Sequence, residues 1–321
     1  MHDLLQIGTF PTQAQALIDQ EFRCHTLEQL EADGALRARV RAIVTRGNYA
    51  VPRSVIERLP RLGAIASMGV GIDLIDLAAA REHGVLVANT PDVLNDAVAE
   101  LCIGLLFALL RRLPEADRFV RAGGWQQGVF PLTTTLAGKR VGIVGLGRIG
   151  KDIARRLEPF GVSIAYHGRS DQHLHWTYQP DLRELARDAD VLILIAPGGE
   201  GTRRLVDASV LDALGPRGFL VNVARGSVVD EAALLAALEG RRIAGAALDV
   251  FENEPGIDER FLALDNVVLT PHVGSATVET RSAMARLTVD NLRRFFEDGT
   301  VLTPVPAAVR TQGRAAGPAA A

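Results

Sequence analysis

Residues 141–170 read VGIVGLGRIGKDIARRLEPFGVSIAYHGRS. The apolar run Val141, Ile143 and Val144 suits a buried strand, and Gly145, Gly147 and Gly150 follow it at G-x-G-x-x-G spacing. Ile153, Ala154 and Leu157 then recur at helical spacing up to Gly161, beyond which Val162, Ile164 and Tyr166 alternate as a second strand. Strand, glycine turn, helix and strand make a βαβ unit. Glycines there permit a tight turn, close approach of backbone to a pyrophosphate, and close packing of helix on strand. The free N–H groups and dipole at the helix start favour phosphate. A lone glycine fingerprint is weak, but in this setting it predicts a dinucleotide site built from Gly145, Leu146, Gly147, Arg148, Ile149 and Gly150.

The end of the second strand carries a prediction about the dinucleotide. It runs Ala165-Tyr166-His167-Gly168-Arg169-Ser170, with no acid before Asp171. NAD-selective folds place Asp or Glu about 20 residues into the fingerprint, where it accepts from the ribose hydroxyls. Such an acid would repel a 2′-phosphate. Arg169 can pair with that phosphate and Ser170 can donate to it, so NADP (as NADPH) is expected over NAD. The plainer reading makes Arg169 a solvated loop residue.

Composition bounds the rest. A length of 321 residues suits two domains, and 48% apolar content supports a substantial core. A net charge of −3, with both signs interspersed, leaves no nucleic-acid footprint. The longest apolar run, Leu101 to Leu110, is half the length of the ~20 residues that span a membrane. Met1 to Ile7 reads as a first strand rather than a signal peptide. Two cysteines, Cys24 and Cys102, make a disulfide framework unexpected. A cytoplasmic protein with no membrane or nucleic-acid partner is expected.

The fingerprint sits in mid-chain. Before it, strand candidates Leu4–Ile7, Ala42–Thr45, Ala64–Ser67 and Val85–Ala88 alternate with helical patterns. After it come Val191–Ile195, Phe219–Val223, Ala244–Leu248 and Val267–Leu269. Alternation of this kind predicts parallel sheets covered on both faces. The expected fold is α/β, with two Rossmann-like doubly wound domains, the cofactor domain inserted into a discontinuous second one. Residues 1–98 and 290–306 are expected to form the substrate domain and 99–289 the NAD(P)-binding domain, with long helices near Ala97–Leu113 and Val278–Phe296 as connectors. The Ala/Gly/Pro-rich segment 307–321 is expected to be a flexible tail.

Three polar residues follow strand candidates of the nucleotide domain: Arg225 in VNVARGSVVD, Glu254 in ALDVFENEP and His272 in VVLTPHVGSAT. In an open α/β sheet the ligand crevice borders the C-terminal strand ends. A guanidinium offers two parallel donors to an acid substrate. A histidine can protonate a carbonyl oxygen as hydride arrives, and a carboxylate on its other nitrogen would orient the ring. Taken singly, each has a bland alternative: a helix cap or Asp230 partner, a solvated loop acid with Glu252 as decoy, and a structural loop histidine.

The segments VGIVGLGRIG, NVARGSVVD, AALDVFENEP and LTPHVGSAT, in this order, resemble those of the D-isomer-specific 2-hydroxyacid dehydrogenases, a likeness running from about Ala42 to Pro304. The resemblance implies Arg225, Glu254 and His272 as the catalytic set, with Arg225 and His272 also touching substrate. It implies Asp249 near the nicotinamide, and the backbone N–H groups of Val70 and Gly71, in SMGVGID, on the substrate carboxylate; Val223 is expected as a further cofactor contact. RRLPEADRFVRAGGW, together with GRS after the second nucleotide strand, is most similar to the hydroxypyruvate and glyoxylate reductases. That implies reduction of a small 2-oxoacid to the D-2-hydroxyacid in a homodimer, with Trp125 near a neighbouring subunit's site. Many relatives carry a polar residue where this chain has Gly69.

Two other readings stay open: an NAD-linked dehydrogenase of another subfamily, and a dinucleotide-sensing co-repressor-like protein without turnover. The former predicts an acid at the end of the second strand; intact Arg225, Glu254 and His272 weigh against the latter. His167, His173 and His175 cluster, but no Cys or acid stands at ligand spacing, so no metal site is expected.

Overall fold

Short, continuously apolar runs alternating with helical patterns build two α/β units in the computed structural model, which describes residues 1–306. In chain order, the first ten elements are β1 (His2–Gln6), α1 (Thr12–Glu21), β2 (Phe22–His25), α2 (Leu27–Ala32), α3 (Gly34–Arg39), β3 (Ala42–Arg46), α4 (Arg53–Glu57), β4 (Ala64–Met68), α5 (Leu77–Glu82) and β5 (Leu86–Ala88). Their strands form one all-parallel sheet in the order β2-β1-β3-β4-β5. Leu4, Leu5, Ile43, Val44 and Ile65 are wholly buried there, as strands covered on both faces require.

The second series is α6 (Asn95–Leu110), α7 (Leu113–Arg121), β6 (Arg140–Val144), α8 (Arg148–Leu157), β7 (Ser163–His167), β8 (Thr177–Tyr178), α9 (Leu182–Asp188), β9 (Val191–Leu194), α10 (Ala208–Leu214), β10 (Phe219–Asn222), α11 (Glu231–Glu239), β11 (Gly245–Leu248), α12 (Arg260–Ala263) and β12 (Val267–Leu269). Its seven parallel strands lie in the order β12-β11-β10-β9-β6-β7-β8. From β6 the chain first steps outward through β7 and β8, then returns to β9 on the other side. The switch point therefore falls between β6 and β9, where such sheets bind ligands. The last helix, α13 (Val278–Asp298), returns to the first sheet and packs on α1 and β4.

The compact units are Met1–Val93 with the segment from Val278 onward, and Leu94–Thr277. The expected boundaries at 98/99 and 289/290 would both cut a helix. The continuous buried face of α6 (Val98, Cys102, Leu105, Leu106, Leu109) keeps it whole with β10, β11 and β12. The face of α13 from Met284 to Phe295 likewise keeps that helix in the first unit. Two strands escaped the sequence reading: β2, a four-residue edge strand with one buried side chain, and the two-residue β8. The expected tail, 307–321, lies outside the described residues. No helix among the described residues is long and apolar enough to cross a membrane. Burial pushes the thiols of Cys24 and Cys102 up to about 12, which leaves neither a reactive nucleophile.

Candidate active site

The glycine turn joins β6 to α8. Gly145 has φ +100°, and a Cβ on it would stand 2.7 Å from the backbone of Ala196 beyond β9. A Cβ on Gly150 would stand 2.3 Å from the carbonyl oxygen of Gly145, so the helix seats directly on the turn. Gly147 differs: a Cβ there would meet nothing within 4 Å. It caps the N-terminus of α8 in extended conformation, so no side chain there blocks approach to the first turn of the helix. That cradle fits a pyrophosphate. The helix is held behind it by Ile153, Ala154 and Leu157, all fully buried, and by an ion pair from Arg156 to Asp96 on α6.

Arg225, Glu254 and His272 follow the ends of three neighbouring strands, β10, β11 and β12. The backbone chains these ends together: Asp249 N donates to Asn222 O at 3.0 Å and His272 N to Asp249 O at 2.8 Å. Buried Asn222 then shapes the turn to Arg225, donating to Arg225 O and accepting from Ala224 N. Gly226 lets this turn close on the next loop, since a Cβ there would overlap the Phe251–Glu252 backbone at about 2 Å. Arg225 lies half-buried, with Nη1 on the carbonyl of Ala224 at 2.7 Å.

His272 and Glu254 meet: Nδ1 lies 2.6 Å from Oε2, and Oε1 accepts the N–H of Phe251 at 3.0 Å. Partial burial pushes the Glu254 carboxyl up. The His272 hydrogen bond, the Phe251 N–H and the charges of His272 and Arg225 outweigh it and hold the group below the usual carboxylate range. Glu254 is thus an anion beside the ring, and Nε2 is left to act on another molecule. His272 itself sits at φ +53°, a left-handed conformation costly for a side-chain-bearing residue. Asp249 sustains it. That carboxylate is 2% exposed and accepts from Thr270 Oγ1 (2.7 Å), Val273 N (2.8 Å) and Gly274 N (2.8 Å). Asp249 was expected near the nicotinamide, and its part in supporting the site was missed, as was Asn222; the available signal was a polar residue at or just past the end of an apolar strand. Val223, also beyond β10, is buried at 6% exposure.

The other site residues lie in different places. Arg169 and Ser170 are exposed in the turn after β7. Val70 and Gly71 follow β4 in the first unit, where Asn89 Nδ2 binds Val70 O and Thr90 braces Gly69 from both sides. Among the described residues no hydrogen bond takes the N–H of Val70 or of Gly71. The three clustered histidines go to separate partners: His167 to Gln179 O, His173 to Asp171 and His175 to Glu158. Among the described residues no three His, Cys, Asp or Glu side chains gather as a metal site.

A doubly wound sheet with a pyrophosphate cradle at one strand end, and a histidine–carboxylate pair with an arginine at three others, defines a dinucleotide-dependent oxidoreductase of polar carbonyl or alcohol substrates. Residues 103–274 match the family model of the D-isomer specific 2-hydroxyacid dehydrogenase, NAD binding domain. The chain is 50% identical to a glyoxylate/hydroxypyruvate reductase of Arabidopsis thaliana over 84% of its own length and 86% of the relative's. It is 46% identical to a 2-ketogluconate reductase of Gluconobacter oxydans over 94% and 98%. Among solved structures, an NADPH-dependent glyoxylate/hydroxypyruvate reductase of Sinorhizobium meliloti, in complex with NADP and malonate, superposes with a TM-score of 0.90 at 46% identity, covering 96% and 97% of the two chains. The protein belongs to the D-isomer-specific 2-hydroxyacid dehydrogenase family.

Proposed function

We propose that the protein reduces a small 2-oxoacid of the hydroxypyruvate or glyoxylate type to the D-2-hydroxyacid with NADPH. The observation that carries this reading is the His272–Glu254 pair at 2.6 Å, with the Arg225 charge acting on the same carboxylate. Bound NADPH supplies a hydride to the carbonyl carbon. His272 Nε2 gives its proton to the carbonyl oxygen, and Glu254 on Nδ1 stabilises the charged ring before transfer and fixes its orientation. Arg225 holds the substrate's oxygens with paired, charge-assisted donors. On the first unit, the N–H groups of Val70 and Gly71 are donors of the kind a substrate carboxylate needs. Gly145 to Gly150 would hold the pyrophosphate and Arg169 and Ser170 the 2′-phosphate, with Asp249 toward the nicotinamide and Val223 a further cofactor contact. The named reductases of Arabidopsis and Sinorhizobium support the substrate class, and the NADPH-dependent Sinorhizobium enzyme supports the coenzyme.

The working form is a homodimer. Helix α7 buries none of its residues, and Leu113, Val120, Trp125, Val129 and Leu132 stand 51–99% exposed along one 20-residue stretch. Five large apolar side chains exposed along one arm call for a partner surface. A second copy supplies it, with Trp125 near the partner's site. Two free cysteines agree with a reducing, cytoplasmic setting.

The test is coenzyme oxidation with hydroxypyruvate, glyoxylate, 2-ketogluconate and phenylpyruvate, each with NADPH and NADH. The reading expects the two small oxoacids with NADPH to give the highest kcat/KM. Preference for phenylpyruvate or for NADH would remove the substrate or the coenzyme assignment respectively.

A further inference from the structure

The turn after β7 is fastened from several directions. Tyr166 is wholly buried on β7, and a buried phenol hydroxyl needs partners. It donates to Asp171 Oδ1 at 2.8 Å and accepts the N–H of Gln172 at 2.8 Å. Asp171 Oδ1 also takes the N–H of His173 at 2.8 Å, while Oδ2 lies 3.4 Å from His173 Nδ1. Gln172 Nε2 donates to the carbonyl of Leu146 at 2.7 Å, which ties the turn to the middle of the glycine fingerprint. Tyr178 Oη donates to Gly168 O at 3.2 Å on the near side. Arg169 and Ser170 lie exposed between these anchors.

We infer that Tyr166, acting through Asp171 and Gln172, is a positioning residue for coenzyme selectivity: it holds the Gly168–Ser170 turn in register for a 2′-phosphate and keeps the Asp171 carboxylate away from the ribose. This rests on the assignment of Arg169 and Ser170 to that phosphate. An acid just after the second strand is the NAD-selecting feature of such folds. This chain has one two residues beyond Arg169, but it is turned toward the strand and engaged by two donors on one oxygen. The N–H of His173 and the Tyr166 hydroxyl keep that carboxyl below the usual range, so it stays charged at neutral pH. Its placement, not its protonation, decides whether it meets the ribose. The tie from Gln172 to Leu146 makes the arrangement sensitive to the pyrophosphate turn as well, which a solvated loop acid would not be.

The experiment is calorimetric titration of the full-length protein with NADPH and with NADH, reading the ratio of the two Kd values. Tyr166→Phe frees the carboxylate, so NADPH binding should weaken by about tenfold, the lower range for one charged hydrogen bond. NADH binding should tighten. Asp171→Ala should weaken NADPH binding without improving NADH, because no carboxylate is left to reach the ribose. Asp171→Asn keeps an acceptor for Tyr166 and His173 and should keep most of the selectivity. An unchanged ratio in Tyr166→Phe, or equal weakening of both coenzymes, overturns the inference. Arg169→Ala tests the underlying assignment separately. If it leaves NADPH preference intact, that assignment and this inference both fall; if it abolishes the preference while Tyr166→Phe does not, only the inference does.

Discussion

Replacing Glu254 with Gln should lower kcat/KM for oxoacid reduction by about fivefold. The carboxylate holds His272 Nδ1 at 2.6 Å, and the variant keeps the size and a hydrogen-bonding group while losing the charge. Hydrogen bonds to charged groups are worth roughly 1.5–3 kcal/mol against about 0.5–1.5 for neutral ones, a difference of about 1–1.5 kcal/mol. A tenfold change in rate corresponds to about 1.4 kcal/mol, so about 1 kcal/mol is a factor of about five. The side chains are 39% and 30% exposed, which holds the effect at that lower end. The sign follows from the chemistry. Reduction passes the Nε2 proton to the carbonyl oxygen, so loss of the anion on Nδ1 removes the group that orients the ring and stabilises its charged form. Oxidation of the D-2-hydroxyacid leaves that proton on the ring and should slow in the same way. The assay is kcat/KM for hydroxypyruvate, and for D-glycerate in reverse, at neutral pH. Values equal to those of the unmodified protein in both directions would refute the coupling of Glu254 to the proton on His272.

His272→Ala should cut kcat by about 10²–10⁴-fold, the range for a positioned acid, while the Kd for NADPH stays within about twofold. Near-normal turnover removes His272 as donor. Arg225→Lys should lower kcat/KM for hydroxypyruvate by about 10²-fold, since a point charge cannot reproduce paired donors; denaturant unfolding of this variant should be unchanged, and a lost transition would point to a structural role. Asp249→Asn puts an amide among three donors that now meet carboxylate oxygens. It should destabilise the protein by ~2–4 kcal/mol in urea unfolding, and a change under ~0.5 kcal/mol would contradict the count of donors.

The nucleotide fold was legible because its signals are local. Val141 to Val144, the glycine spacing and the Ile153–Leu157 face each register within one turn or one strand, and each lies where that reading puts it. Arg225, Glu254 and His272 were legible by placement, as polar residues just past apolar runs. What was not legible depended on long-range packing. The ends of the two units follow the buried faces of α6 and α13, and a face is continuous only once its partner sheet is known. β2 has too few residues and too mixed a burial to announce itself. Nor does sequence disclose that the Asp171 carboxylate turns toward Tyr166, since its bonds to Tyr166 and His173 arise from the shape of a short loop.

Asp249 shows how the register of the sheet becomes the geometry of the site. Asn222 pairs with Leu248, and Leu248 with Leu269, so β10, β11 and β12 end level with one another. Neighbouring strands stand about 4.8 Å apart, a spacing that brings the residues just beyond their ends within reach of bridging side chains. Each end then needs a sharp exit to aim its functional group. Asn222 makes the exit toward Arg225, and Glu254 folds back onto the N–H of Phe251 within its own loop. Asp249 gathers the Thr270–Gly274 turn that holds His272 at positive φ. The polar residues closing β10 and following β11 therefore do for the site what the glycines do for the cofactor turn: they let the backbone leave a parallel sheet abruptly. Arg225, Glu254 and His272 are thus placed by backbone exits that their own side chains do not build, whereas Asn222 and Asp249 each fix an exit on which one or more of them depends.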